Sequence, residues 1–235
     1  MSDTAPLLLS IETATESCSV ALSAGDRLIA EKYTLQPKAH AMLLARFIQE
    51  ILQENRLGIR DCDAVAVGQG PGSYTGLRVG VSCAKGLCYG ADLPLIAVGT
   101  LDAIVRCAID NRLPGTERPE TLIVPMIDAR RMEVYTAVFD SRGRQLNQTA
   151  PVILDEHSFA RELASGPVLF TGDGAEKFRP LTRHPNALFA PQLPHASGMR
   201  IRALEAFHKK EFEDRAYFEP FYLKEFIAGK PKKLL

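Results

Sequence analysis

The sequence predicts a duplicated α/β protein of two similar lobes, and three observations carry that expectation. The first third reads as three strands in a meander, followed by helix, strand, helix, strand and helix. A polar, breaker-rich stretch, "NRLPGTERPET" at 111–121, then interrupts the chain, and the same order begins again beyond it. Finally, "SIETATESCSVAL" lies over "MIDARRMEVYTAVF", with Glu12 falling on Asp128.

Each element has a local reason. "LLLSIET" is a short apolar run typical of a buried strand, "SCSVALSA" alternates, and "DRLIAEKYT" follows a turn at Gly25-Asp26. "PKAHAMLLARFIQEILQEN" sets Leu44, Phe47, Ile48, Ile51 and Leu52 at helical spacing, with Pro37 near its start and Gly58 beyond its end. "AVAVG" and "PLIAVG" are strands, with a helix from about Thr75 between them and another over Thr100 to Asp110 after them. In the second half, "LIVPMIDARRMEVYTAVFDSRGRQLNQTAPVIL" reads as three strands with Gly143 in a turn. A helix ("DEHSFARELA"), a strand ("PVLFTG"), a short helix and a last helix over Ser197 to Lys209 complete it. Such a repeat fits two ribonuclease-H-like lobes facing one another, the actin-like arrangement. The expected organisation is a first lobe over residues 1–112, a smaller second lobe over 113–222, and a basic tail over 223–235.

Composition excludes several function classes. Lys plus Arg equals Asp plus Glu at 28 each, so the chain lacks the excess of cationic side chains with which a protein grips nucleic acid alone. Its basic cluster, Lys230, Lys232 and Lys233, reads as a solvated terminus. No apolar run approaches membrane-spanning length, and the N-terminus lacks the basic region of a signal peptide. Five cysteines without a CxxC pair point to free thiols in a reducing compartment, so a cytoplasmic protein is expected.

The stretch "GQGPGSYTGLRVG" at 68–80 holds five glycines. A Walker loop would need Lys after Gly76, where Leu77 stands, and a dinucleotide fingerprint fails at Thr75. The loop Gly70, Pro71, Gly72, Ser73 can still present N–H groups to an anion at a helix start. Close packing explains more. Gly76, Gly80 and Ala84 recur every four residues and form a face that another helix can approach, in the same chain or in a partner subunit. Glycine costs about 1 kcal/mol against alanine in a helix interior, which suggests that the closeness is used. Arg78, Ser82, Lys85 and Tyr89 form the polar stripe. Glu12 and Asp128 stand at strand ends where actin-like proteins contact phosphate or Mg²⁺, although capping or surface roles fit them too. Gly172 and Gly174 in "TGDGAEKF" offer either a phosphate contact or a turn opening a helix.

Together "IETATESCSVAL", "GQGPGSYTGLRVGVSCAKGL" and "LPLIAVGTLDA" resemble the TsaB (YeaZ) family, densely in the first half and by overall pattern in the second. The resemblance implies an actin-like fold and a part in making N6-threonylcarbamoyladenosine at position 37 of tRNAs that read codons beginning with A. It implies a non-catalytic paralogue of TsaD, paired with TsaD as a heterodimer through N-terminal-lobe helices and joined by the small ATPase TsaE. A separate synthase makes the threonylcarbamoyl-adenylate. ATP and metal then belong to the partner subunits and tRNA is met through the complex; a homodimer is possible when the chain is alone. The His-x-x-x-His metal motif of the TsaD group falls here on Thr100 and Ile104; Ile cannot coordinate and a lone Thr hydroxyl is a poor ligand, so no metal site and no catalytic residue are expected. The expected partner surface comprises His40, Leu43, Phe47, Gly76, Gly80, Cys83, Ala84 and Leu87. Two other classes stay open: a self-sufficient actin-like phosphotransferase and a homodimeric regulatory protein.

Overall fold

The computed structural model describes residues 5–36 and 39–222. The first sheet is built from β1 (Leu7–Glu12), β2 (Cys18–Ala24), β3 (Arg27–Thr34), β4 (Ala64–Gly70) and β5 (Leu95–Gly99), in the order β3-β2-β1-β4-β5. Helices α1 (His40–Glu54) and α2 (Tyr74–Ala91) interleave with these strands, and α3 (Thr100–Asp110) follows β5. The second sheet holds β6 (Leu122–Asp128), β7 (Glu133–Thr136), β8 (Ala150–Ile153), β9 (Val168–Thr171) and β10 (Ala187–Phe189), in the order β10-β9-β6-β7-β8. Helix α4 (Ala160–Ser165) precedes β9 and α5 (Arg200–Lys209) comes last. In each sheet the first strand is central, antiparallel to the second and parallel to the fourth. One meander-plus-crossover plan is therefore used twice, which is the actin-like, ribonuclease-H-like arrangement.

Central position explains the continuous apolar run of β1. Leu9 and Ile11 join the core beneath α1 and α2, whereas Leu8 joins the core on the opposite face with Met199 and Ala203. Helix α3 ties the lobes together. Its Ala103 lies in the core behind the first sheet, while Leu101, Ile104 and Ala108 pack on Ile123, Phe139 and Leu169 of the second half. A helix apolar round most of its circumference needs two partners, and here each is a sheet.

Three expectations change. The helix drawn over 155–164 shrinks to α4, because Asp155 Oδ1 accepts from His157 N at 3.0 Å and Ser158 Oγ at 2.8 Å, and Phe159 takes φ 60°. That side-chain turn competes with the first helical turn. Strand β10 was not anticipated, since three residues between polar breakers carry no usable period. Residues 113–222 do not all belong with the second sheet, either: α5 packs behind the first one, against Leu8, Ala64 and Ile96.

After α5 the chain runs along the first lobe as a strap. Glu213 N donates to Leu95 O (2.8 Å), Lys85 Nζ donates to Ala216 O (2.9 Å) and Phe218 O (3.0 Å), and Phe221 N donates to Gln69 O (2.8 Å). Arg215 Nη1 reaches Asp92 Oδ1 at 2.9 Å, and Arg78 Nε reaches the Tyr222 hydroxyl at 3.3 Å. Half of the polar stripe read on α2 is thus a set of anchors for the strap. The basic tail at 223–235 and Pro37 lie outside the described residues.

Candidate functional site

The β1–β2 turn, residues 13–17, is the centre on which both outer helices converge. Ala14 O accepts from Ser73 N at 2.6 Å, Thr13 Oγ1 donates to Gly76 O at 2.8 Å, and His40 Nε2 lies 3.0 Å from Thr15 O. A carbonyl only accepts, so Nε2 of His40 carries the proton. Three glycines make this approach possible. A Cβ at Gly72 would overlap Ala14 O, one at Gly76 would overlap Thr13 O, and one at Gly80 would overlap Thr13 Oγ1. Ser73 caps α2 by accepting from Gly76 N at 3.3 Å. Gly70, at φ 108°, needs its glycine as well, with Leu77 Cδ1 and Phe221 O both 3.1 Å from where a Cβ would stand.

This geometry corrects the sequence reading at several positions. Gly76, Gly80 and Ala84 are buried and turn inward onto the chain's own turn, so they are not offered to a partner. His40 holds the turn rather than an interface. Leu43 and Phe47 lie on one helical stripe with Glu50 and Glu54, which pair with Lys32 of β3 at 3.4 and 2.8 Å. That stripe therefore faces the β3 edge, away from α2. Gly172 and Gly174 are no open cradle: their α-carbons press on β6, at Met126 O and at Ile127–Asp128. The loop Gly70–Ser73 likewise spends its close approach on residue 14. Cys83 and Leu87 are half-buried beside α1.

The outward face of the same two helices has a different character. Gly86 and Gly90 are exposed, and a Cβ at either would meet nothing within 4 Å. Ser82 is exposed one turn before Gly86, and Val79 and Cys83 flank this ridge half-buried. Across from it α1 presents exposed Ala41 and Ala45 together with Met42, which is 69% exposed. Of the two uses the sequence left open for Gly76 and Gly80, the structure shows the one within the chain, and a second run of small residues lies beyond it. The signal that distinguishes the two is local: Gly76 and Gly80 follow the capping Ser73 immediately, whereas Gly86 and Gly90 lie beyond the reach of the turn.

Charge inside the fold is concentrated at the strand ends. Glu12 is fully buried against Gly68, which corrects the expectation of a surface role. Its Oε1 accepts from Ala14 N at 2.7 Å, while Oε2 has no partner among the described residues. Burial pushes its carboxyl up to about 7, against the two backbone N–H groups that pull it down. Asp128 is exposed by comparison; it accepts from Lys177 Nζ and Arg130 N at 2.7 and 2.6 Å, and its own N–H donates to Asp173 Oδ1 at 2.9 Å. Burial, then the nearby charges of Asp128 and Glu16, raises Asp173. Thr100 and Ile104 are fully buried. Among the described residues no group of three or more His, Cys, Asp or Glu is placed to hold a metal ion. No described helix is long and apolar enough to cross a membrane. Burial pushes the thiols of Cys18, Cys62, Cys88 and Cys107 upward, to between about 11 and about 12, so none is poised as a nucleophile.

Known proteins resemble this chain along most of its length. The family model described as TsaD, tRNA N6-adenosine threonylcarbamoyltransferase, matches residues 28–226. The tRNA threonylcarbamoyladenosine biosynthesis protein TsaB of Escherichia coli is 32% identical over 231 residues, 95% of this chain and 96% of the relative. The Bacillus subtilis protein of the same name is 33% identical over 168 residues, 70% of each chain. In structure, YeaZ from Pseudomonas aeruginosa superposes with a TM-score of 0.80 at 28% identity, covering 93% of this chain and all of that one.

Two predictions arise from the turn. Gly76→Ala should cost about 2–3 kcal/mol in chemical denaturation, since a backbone carbonyl must move. Gly86→Ala should leave stability unchanged or raise it by up to about 1 kcal/mol; equal effects of the two would contradict the inward register. Glu12 sets a pH dependence. A carboxyl raised from 4.5 to about 7 on folding adds stability that is fully present below pH 4.5 and lost as pH rises through about 7. The chain should therefore lose roughly 3 kcal/mol between about pH 5 and pH 8 from this group, and Glu12→Gln should flatten that part of the profile. Parallel profiles for the two proteins would refute the assignment.

Proposed function

The chain belongs to the TsaB (YeaZ) family, and on that premise we propose that it is a non-catalytic, activating subunit in the synthesis of N6-threonylcarbamoyladenosine at position 37 of tRNA. In this reading it works by forming a heterodimer with a TsaD-type paralogue. A TsaE-type ATPase joins the pair, and ATP and metal sit on those partners. tRNA meets the complex mainly through the partner, as a chain of zero formal charge suggests.

One observation supports the scaffold reading above the others: the outward face shared by α1 and α2. Gly86 and Gly90 weaken a helix whose outer surface could carry any side chain, and among the described residues nothing uses the space they leave. Small residues at Ala41, Ala45, Ser82, Gly86 and Gly90 let two partner helices approach to short interaxial distance, and Met42 supplies apolar area. The half-buried Cys83 and Leu87, expected at the interface from sequence, lie at the seam between the two helices.

The test is Gly86→Arg. A long cation forced into a small-residue contact is held out of water without a partner, which costs several kcal/mol or about two decades in affinity. The variant should keep the melting curve of the parent, lose binding to the TsaD-type partner by at least about 100-fold in titration calorimetry, and fail to restore the modified adenosine in cells lacking the gene. A folded Gly86→Arg chain that binds and restores normally would refute this docking face. Normal levels of the nucleoside in a clean deletion would refute the pathway assignment itself.

A further inference from the structure

Away from the turn and the docking face, a cavity of about 570 Å³ opens between the lobes. Its walls are the ends of β4 and β5, α3, the start of α5, and the turn 142–145 of the second half. Every basic residue lining it is an arginine: Arg106, Arg142, Arg144 and Arg202. Two of these have their charge matched inside the fold. Arg202 Nη1 pairs with Glu205 Oε2 at 2.8 Å, and Arg144 Nε with Asp140 Oδ2 at 3.2 Å.

The other two do not. Arg106 shares the single carboxylate of Asp110 with Arg200, so two guanidinium groups meet one negative charge. Its Nε is buried without an acceptor among the described residues, an unfavourable state for a charged donor unless something fills it. Arg142 makes no ion pair among the described residues, and its backbone N–H is its bond to Asp140. The two arrive from opposite halves of the molecule, because Gly143 seats the 142–145 turn on Val105 and Ile109 of α3. Asp102, the one remaining carboxyl on the wall, packs over Gly99 at the start of α3, on the same helical face as Arg106.

We propose that this cavity is a binding site for a phosphoryl anion, held between Arg106 and Arg142. Guanidinium groups match phosphate oxygens in pairs, as an ammonium does not, which accounts for arginine at every basic position. The volume lies in the range of small-molecule sites and accepts more than a lone phosphate. A bound anion would bridge α3 to the second half and stiffen one lobe against the other. The anion could come from a free phosphorylated small molecule or from a nucleic-acid backbone; the chemistry at the arginines is the same.

The experiment uses the full chain, purified without phosphate, in ¹H–¹⁵N NMR titrations with inorganic pyrophosphate and, separately, with unmodified tRNA. Saturable shifts are expected at residues around 102–106 and 142–145. Arg142→Gln should weaken binding at least tenfold, and the remote control Arg179→Gln should not. Arg106→Gln should do the same while keeping the parent's circular dichroism. Pyrophosphate binding that depends on Arg142 identifies a free phosphorylated ligand, and tRNA binding that alone depends on Arg142 identifies a backbone phosphate. No saturable binding of either probe, or equal losses in Arg142→Gln and Arg179→Gln, overturns the proposal. None of these readouts involves the TsaD-type partner, so they stand or fall apart from the scaffold reading.

Discussion

The close approach of helix α2 to the β1–β2 turn is the constraint on which the first lobe depends. Ser73 N bonds Ala14 O there at 2.6 Å and the Thr13 hydroxyl bonds Gly76 O at 2.8 Å, and Gly72, Gly76 and Gly80 lack the side chains that would block the approach. An interior helix glycine is expensive, and a turn with buried carbonyls is worse if they go unpaired. Each defect satisfies the other. Ser73 caps the helix and donates its N–H to the turn, so the helix start, the loop and the turn act as one unit.

That unit also decides what the site is not. The first turn and the glycine loop spend polar groups on each other. Ala14 O accepts from Ser73 N, Thr13 Oγ1 donates to Gly76 O and Thr15 O accepts from His40, while Glu12 lies buried behind them with a carboxyl shifted toward neutrality by desolvation. The free surface of α2 is its other side. Its polar stripe anchors the strap through Arg78 and Lys85, and the remaining ridge is small, exposed and without a neighbour among the described residues.

Much of the fold was legible because its signals were local. The meander of β1 to β3, the helical spacing of α1, and the repeated order after residues 111–121 each follow from side-chain period and breakers. Family membership was legible from three motifs in order, and similarity over 95% of the chain to the Escherichia coli protein establishes it. What failed was orientation and long-range packing. A repeat of small residues tells that something comes close but not from which side: Gly76 and Gly86 look alike in sequence, yet only Gly76 lies against the turn. Leu43 and Phe47 show the same limit, since only the pairing of Glu50 and Glu54 with Lys32 reveals that their stripe faces β3. The return of α5 and the strap to the first lobe, and the meeting of Arg106 with Arg142, join residues 36 or more positions apart, beyond any periodic pattern.

The central claim is that one side of the α1–α2 pair belongs to the chain's own turn and the other to a partner helix. Methyl-labelled alanine reports on both sides in a single spectrum, because Ala14 and Ala84 lie on the inner side while Ala41 and Ala45 lie on the outer one. On titration with the TsaD-type partner, the account predicts that the Ala41 and Ala45 methyl signals shift or broaden while those of Ala14 and Ala84 stay in place. Large changes at Ala14 and Ala84 with none at Ala41 and Ala45 would contradict it.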